Sequence, residues 1–546
     1  MQIVIIGGVA GGMSAATRMR RLDENAQITV LERSGYVSFA NCGLPYHVGG
    51  VIEERSKLLL QTPESLGARF GIDVRVASEV VSIDREKRTV LVRNLAADGS
   101  GAAEYELTYD RLILSPGARP VRPPIPGIER ALSLRDVEDT DAMVAATAGA
   151  TSAVVIGGGF IGVEMAENLV HRGLKVTLVE AMPQVMTPID IEMAHPVHEA
   201  LRNNGVDLRL NSSVETITPA GVTLAGGEAV QGDIVVAAIG VRPDSALASA
   251  AGLEVGERGG ISVDEFNRTS DPAIYAVGDA AEKRDAIDGS AVLVPLANTA
   301  NLQGRRVADH IAGLPGAGRP VLGTAIVGVF GLQVASVGWN EKRLQALGRP
   351  YKAIHTHPAS HATYYPGAEQ MSLKLLLDPE TDAILGAQGV GKQGVDRRID
   401  VIATAMTGGI TASALADLEL AYAPQFSSAK DPVNMLGYIA DNMRTGHADT
   451  IQWHELEAAM TDGVALIDVR TPGEFAAGAI PGAVNIQVDD LRERMADVPE
   501  GRVVVHCAVG LRGHTAARIL TQHGREVRNL DGGYRTWLAG TSETGA

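Results

Sequence analysis

Two cysteines, Cys42 and Cys507, stand far apart in a chain of 546 residues, and each lies in a segment able to do sulfur chemistry. A lone cysteine is ordinarily a small buried hydrophobe, so its neighbours decide its role. Cys42 lies in YVSFANCGLPY (36–46), with no second cysteine nearby to close an internal disulfide. If this thiol is redox-active, its partner must be external: a mixed disulfide with a small thiol, a persulfide or a sulfenic acid. A helix beginning just after Cys42 would favour the thiolate. Cys507 ends the apolar run VVVH and opens the loop CAVGLR, closed by Arg512. Backbone N–H groups of so short a loop can converge on the sulfur, and Arg512 adds a fixed positive charge.

Two glycine-rich turns carry a second kind of chemistry. GGVAGG (7–12) follows the apolar strand QIVII and precedes a helical stretch from about Met13 to Leu22, and QITVLE then ends on Glu32. Such a turn brings a pyrophosphate to helix N-terminal N–H groups, and the acidic residue accepts from ribose hydroxyls. Val9 stands where the pattern has its second glycine. The full pattern recurs at Gly157, Gly159 and Gly162, before a helix through Val170, with Glu180 ending KVTLVE. Glu180 would repel a 2′-phosphate, which predicts NADH over NADPH. Lys175 and Arg172 leave NADPH open. Two such βαβ copies predict two nucleotide-binding domains, joined through the Pro-rich YDRLILSPGARPVRPPIPG.

The elements that must position these groups follow from pattern and composition. At roughly 150 residues per domain, the length predicts three to four domains. The chain is 45% hydrophobic and 21% charged, an ordinary globular composition that excludes a disordered or collagenous protein. A net charge of −17 argues against nucleic acid as a partner, since that needs clustered Lys and Arg. No apolar run is long enough for a membrane span. The start MQIVIIGGVAGG lacks a basic leader, so the expected location is cytoplasmic, where thiols stay reduced. From about 324 to 440, TAIVGVFG, VASVGW, SLKLLLD and AILGAQGVG read as strands, with helices near 397–408 and 411–419, an α+β pattern. The polar stretch 440–452 is expected to be a linker. VALIDVR, VVVHCAVG, a helix over 513–523 and EVRNLDGG then predict a small α/β domain. Strand alternation would put His355, His357 and His361 on one face. No carboxylate or thiol cluster accompanies them, so no metal site is expected.

TSDPAIYAVGDAAE (269–282) and LSPGARP (114–120), taken with the two turns, resemble the two-dinucleotide flavoprotein disulfide reductases. The resemblance implies FAD in the first nucleotide domain, on Gly7, Gly12, Glu32, Arg33, Asp279 and Ala297, with Asp279 at the ribityl chain. It implies NADH in the second, on Gly157, Gly159, Gly162, Glu180 and Gly240. Most of that family carry CxxxxC where this chain has Cys42 and His47. SFxNCGLPY is similar to the single-cysteine branch of coenzyme A disulfide reductases, persulfide and polysulfide reductases, NADH oxidases and peroxidases. The peroxidases carry a His in the first turn, where this chain has Ala10. HATYYPG (361–367) and YAPQFSSAKDPVN (422–434) match the coenzyme A disulfide reductases. In that group paired tyrosines reach the active cysteine from the partner subunit of a homodimer. The role is carried here to Tyr422 and Tyr364, with Tyr365 open as the alternative. Lys430, Arg18, Arg21, Ser38, Asn41 and Asn301 are carried to the substrate.

The C-terminal segment has a resemblance of its own. DVR (468–470), EF (474–475), IPGA (480–483), Asn485, Ile486 and GGY (532–534), with the six-residue loop from Cys507 to Arg512, resemble rhodanese sulfurtransferases. Ala479 replaces the usual His before the IPGA run. Together these resemblances imply an α/β chain of four parts: a discontinuous FAD domain (1–112 and 246–322), an NAD(P)H domain (113–245), an α+β dimerisation domain (323–445) and a rhodanese domain (446–546). The implied activity is NADH-dependent reduction of coenzyme A persulfide, polysulfide or coenzyme A disulfide at Cys42, with sulfane sulfur handled at Cys507. An NADH oxidase, or a redox-sensing or sulfur-relay module without turnover, is the alternative.

Overall fold

The computed structural model describes residues 1–95 and 103–544. The chain forms two compact units, Met1–Ala181 with Gly205–Gly323, and Met182–Asn204 with Thr324–Ala546.

In the first unit, five parallel strands lie in the order Ile274–Ala276, Arg111–Leu114, Gln2–Ile6, Gln27–Leu31, Asp73–Arg75. Side chains alternate between the faces of this sheet. Ile3 and Ile5 pack with Met13, Ala16 and Met19 of the helix Ala10–Leu22. Val4 and Ile6 pack with Ile83, Val90 and Tyr109. Both faces are covered, which is why QIVII reads as an unbroken apolar run. A second parallel sheet has the order Asp207–Arg209, Lys175–Val179, Ser152–Ile156, Ile234–Ala237, and the helix Phe160–His171 follows its strand Ser152–Ile156. Each glycine turn brings a helix start against a strand end. Gly7 and Gly157 have φ of +99° and +102°, and a Cβ on Gly12 or Gly162 would run into the carbonyl oxygen of Gly7 or Gly157.

The second unit holds an antiparallel sheet, Ala325–Val329, Leu332–Gly338, Ile384–Gly391, Met371–Leu377, Lys352–Thr356 in spatial order. The helices Val395–Gly408 and Pro432–Arg444 belong to the same unit. It also holds a five-stranded parallel sheet, in the order Thr450–Ile451, Val527–Leu530, Val503–His506, Ala465–Asp468, Val484–Asn485. The helix Leu511–Gln522, with Gly510 as its N-cap, starts two residues earlier than its pattern predicts. The helix Ile191–Asn203, which the sequence places between two strands of the second nucleotide sheet, also packs in this unit.

Two sequence expectations fail. The helix expected over 411–419 is a short 3-10 turn, Ser413–Asp417. The Asn434 amide takes the carbonyls of Leu415 and Leu418, at 3.0 and 2.9 Å, that a continuing helix would use. The linker expected over 440–452 begins inside the helix Pro432–Arg444. That helix is started by a reciprocal cap between Asp431 and Asn434 and buries Val433, Leu436 and Ala440, so its last polar turn disguised it. Among the described residues no helix is long and apolar enough to cross a membrane.

Candidate active site

Cys42 sits in the 3-10 turn Asn41–Gly43, followed by the helix Leu44–Val48 with Pro45 in its first turn. The segment is bent off the first glycine turn: Ser38, at φ 49°, donates its N–H to the Gly8 carbonyl at 2.8 Å. Leu44, Pro45 and Val48 are buried, and beyond them the His171 ring donates to the Gly49 carbonyl at 3.0 Å. Helix Phe160–His171 of the second nucleotide domain therefore fixes the cysteine turn of the first. Cys42 itself is exposed. Crowding by the surrounding protein pushes its thiol up, and the charges of Glu164 and Asp279 push the same way. This reverses the expectation of a favoured thiolate. The following helix has only five residues, and its end charge is outweighed by desolvation and two carboxylates.

Glu164 escaped the sequence reading. Its carboxylate accepts from the Tyr46 hydroxyl at 3.1 Å, and burial lifts it to about 7. Burial and Glu164 also raise the Tyr46 phenol. The available signal was a single carboxylate in the apolar run FIGVEMA, two residues after Gly162.

The first turn fits FAD. The helix Ala10–Leu22 has no side-chain cap, so its first N–H groups can take a pyrophosphate. Glu32 holds the Gly8 and Ser34 N–H groups at 2.7 and 2.9 Å, and burial raises its carboxyl. Arg33 is exposed. Arg135, which donates to the Pro116 carbonyl at 3.0 Å, adds a charge that acts on Glu32. Asp279 lies in the turn Gly278–Ala280 at the end of the strand Ile274–Ala276. Burial raises it, and the opposing cation is Lys283, which is buried and pushed down to about 8. Lys283 and Arg135 are further site residues missed from sequence. Ala297 opens the helix Ala297–Ile311, also without a side-chain cap, and Asn301 accepts from the Ser14 hydroxyl at 2.7 Å.

The second turn fits a pyridine nucleotide by the same features. The helix Phe160–His171 has no side-chain cap behind Gly159, and Gly158 N–H donates to Glu180 at 2.6 Å. Gly240 stands at φ +104°. Of the residues carried to the substrate, Arg18 is ion-paired with Asp309 at 2.6 Å. Arg21 and Asn41 are exposed, and Ser38 is half-buried.

In the second unit, the Tyr364 and Tyr422 hydroxyls lie 2.7 Å apart, and both rings are exposed, at 74% and 48%. Tyr365 instead sets its ring edge-on to buried His361, 5.8 Å between centroids. Tyr364 is thus the one paired with Tyr422. Phe426 and Lys430, both exposed, follow Tyr422 in a loop tied down where Arg398 meets Asp431 at 3.0 Å.

Cys507 is buried at the end of Val503–His506, and Gly510 N–H donates to its sulfur at 3.1 Å. Arg512 grips Glu474 with two hydrogen bonds of 2.6 and 2.7 Å, which hold the Glu474 carboxyl at about 2. The Arg512 guanidinium is raised by Glu474 and, to a smaller extent, by Cys507. Arg470 is bidentate on Asp468 and lies 4.3 Å from the Tyr534 ring centre. His506 is buried and pushed down to about 4, hence neutral.

Two glycine-turn nucleotide sites beside one unpartnered cysteine, with a separate cysteine loop backed by arginine, define an oxidoreductase joined to a sulfurtransferase-like domain. Residues 1–304 match the family described as pyridine nucleotide-disulphide oxidoreductase, residues 324–432 match its dimerisation domain, and residues 452–540 match the rhodanese-like domain. The chain belongs to the pyridine nucleotide-disulphide oxidoreductases and carries a rhodanese-like domain. It is 36% identical to a coenzyme A disulfide reductase of Staphylococcus aureus over 445 residues, 80% of this chain and 99% of that one. It is similar throughout to the reduced CoADR-RHD of Bacillus anthracis, at 48% identity and a TM-score of 0.97, covering 99% and 98% of the two chains. A NAD-dependent persulfide reductase from A. fulgidus is 39% identical with a TM-score of 0.91, over 98% of this chain and 100% of that one.

Proposed function

We propose that this chain is an FAD-dependent NADH oxidoreductase that reduces coenzyme A persulfide, polysulfide or coenzyme A disulfide at Cys42 and handles sulfane sulfur at Cys507. The observation that carries the reading is one exposed thiol next to two dinucleotide cradles, in a chain whose only other cysteine stands in the rhodanese-like domain. Such a thiol must take its disulfide partner from the substrate. Cys42 loses its proton, and Glu164, held at about 7, is a carboxyl able to take it at neutral pH. The sulfur attacks the inner sulfur of R–S–SH, the S–S bond breaks, and HS⁻ leaves Cys42–S–S–R. Two electrons and a proton then return the Cys42 thiolate and R–SH. When bound, FAD carries the reducing equivalents of NADH to that disulfide. With R–S–S–R as substrate, the leaving group is R–S⁻.

The exposed Tyr364–Tyr422 pair fits the acid step: in a homodimer the partner subunit's Tyr422 and Tyr364 protonate the leaving thiolate. Arg18, Arg21, Ser38, Asn41, Asn301 and Lys430 bind the coenzyme A moiety. The working location is the cytoplasm, where both thiols remain free.

The test is NADH oxidation with coenzyme A persulfide and coenzyme A disulfide in parallel, with sulfide measured, followed by mass spectrometry of Cys42. A coenzyme A adduct on Cys42 and sulfide release are expected. Disulfide turnover far above persulfide turnover makes the disulfide the substrate. Comparable oxygen consumption without a sulfur acceptor makes the protein an oxidase, and no NADH consumption with any acceptor makes it a relay.

A further inference from the structure

The histidines that the sequence grouped at 355, 357 and 361 take no part in the chemistry above, yet two of them join the antiparallel sheet to the rhodanese-like domain. His355 lies in the strand Lys352–Thr356 and is 3% exposed. Its Nδ1 stands 2.7 Å from one Asp531 oxygen, which also accepts the His355 backbone N–H at 3.0 Å. Its Nε2 stands 3.0 Å from Glu192, on the helix Ile191–Asn203. Ionised carboxylates only accept, so both ring nitrogens must donate and the ring is an imidazolium.

The other charges around the ring are accounted for. Lys374 Nζ contacts the same Glu192 oxygen at 2.5 Å, and Asp190 and Glu341 at 2.9 Å each. Three carboxylates that could otherwise hold a cation thus surround an ammonium. Lys342 faces Asp190 and Glu192. His357 is neutral, pushed down to about 3 by burial with Arg535 and His355 adding to it. For His355 burial pulls the other way, but Asp531 and Glu192 prevail and hold it at about 9.

Asp531 opens the turn through Gly532 and Gly533, at φ +66° and +63°. This turn closes directly on the Cys507 loop. Tyr534 N–H donates to the Cys507 carbonyl at 2.8 Å, and Arg535 N–H to the Ala508 carbonyl at 3.0 Å. A Cβ on Gly533 would strike the Cys507 carbonyl oxygen, and one on Gly532 would crowd His355 itself. One turn further, His357 Nε2 meets the Thr536 hydroxyl at 2.8 Å.

We propose that His355 is a positioning residue for the sulfur chemistry of Cys507: its imidazolium, shared between Glu192 and Asp531, sets the Asp531–Gly532–Gly533 turn on which the Cys507 loop rests. The proposal rests on the reading of Cys507 as a sulfane-sulfur carrier. A ring that donates on both sides fixes the Asp531 carboxylate in one place. A neutral side chain in its place leaves the buried Asp531 carboxylate without its imidazolium, while Glu192 keeps Lys374.

The test uses the full-length flavoprotein, with glutathione persulfide and cyanide as probes and thiocyanate as the product. His355→Gln is expected to lower kcat for thiocyanate at least about ten-fold, as a misplaced reactive loop does, while NADH oxidation with coenzyme A disulfide stays at the wild-type rate. The ratio of wild-type to variant kcat, in which the ionisation of cyanide cancels, should fall toward one as pH rises through about 9. Asp531→Asn should show the same loss, and it stands in if His355→Gln does not fold. A pH-independent ratio, an unchanged kcat in both variants, or an equal loss of both activities overturns the proposal. If Cys507→Ser itself keeps thiocyanate formation, the reading of Cys507 is what fails.

Discussion

At Cys42 the protein's own charges oppose ionisation. Desolvation comes first, and Glu164 and Asp279 add to it, so removing the Glu164 charge should lower the thiol. Glu164→Gln is expected to raise the rate of Cys42 alkylation by iodoacetamide about three-fold to ten-fold at pH 8, because the thiol ionises more readily once that charge is gone. Glu164 is held at about 7, so most of its charge is lost by pH 6 and the difference between wild type and variant should shrink there. Equal rates at pH 8 would remove Glu164 from the site. Cys42→Ser should cut NADH-dependent reduction of coenzyme A disulfide by more than about a thousand-fold, while Cys507→Ser leaves it intact. Loss of that disulfide reduction in the Cys507 variant would mean the two cysteines form one site. The sequence could name both cysteines because their neighbours are local. It could not give the direction of the Cys42 shift, which depends on groups brought up by packing.

The elements that present these residues are short strand–turn–helix units, and their tolerance is set by backbone contact. A Cβ on Gly162 would meet the Gly157 carbonyl oxygen, so Gly162→Ala must lift the helix Phe160–His171 off its strand. The expected cost is about 1–3 kcal/mol. NADH binding should weaken, while the bound FAD, read by its visible absorbance, stays at wild-type content. Wild-type NADH affinity in Gly162→Ala would show that the turn does not hold the nucleotide. The same helix carries Glu164, so Cys42 reactivity should change with it. Element type was legible where the pattern was strong, as in QIVII and the run before Cys507. It failed at Ser413–Asp417 and Ala440–Arg444, where a side-chain amide and a polar last turn overrode local pattern.

Across the whole molecule, two outcomes follow from assembly and charge. If the partner subunit's Tyr422 serves Cys42, mixing Cys42→Ser and Tyr422→Phe subunits should recover about a quarter of wild-type activity, since half the dimers then hold one native site of two. No recovery would place each Cys42 with the tyrosines of its own chain. The second outcome concerns pH. His355 titrates at about 9 rather than its usual 6.5. It therefore contributes stability that is complete below pH 6.5 and is lost as pH rises through about 9. The loss amounts to about 3 kcal/mol. Trp339, Trp453 and Trp537, the chain's three tryptophans, all lie in the second unit, so denaturant unfolding followed by their emission reads this loss. His355→Gln should abolish the pH dependence, and a variant that keeps it would assign the dependence to another group.

Local residue pattern was enough to give the class of chemistry: two glycine turns with acidic strand ends, a cysteine without an internal partner, and a cysteine loop closed by arginine. Each is a run of a few dozen residues at most, and such signals survive because turn geometry and strand–helix periodicity act over short stretches of chain. Only the tertiary structure brought Glu164 to Tyr46 across 118 residues and His355 to Asp531 across 176. It also decided which of Tyr364 and Tyr365 meets Tyr422. It placed His355, one of three histidines that strand alternation would put on one face, in a charged node between Glu192 and Asp531. The reason is the same in each case. Which distant groups touch, and how far water is excluded from them, is set by packing, and protonation follows from both.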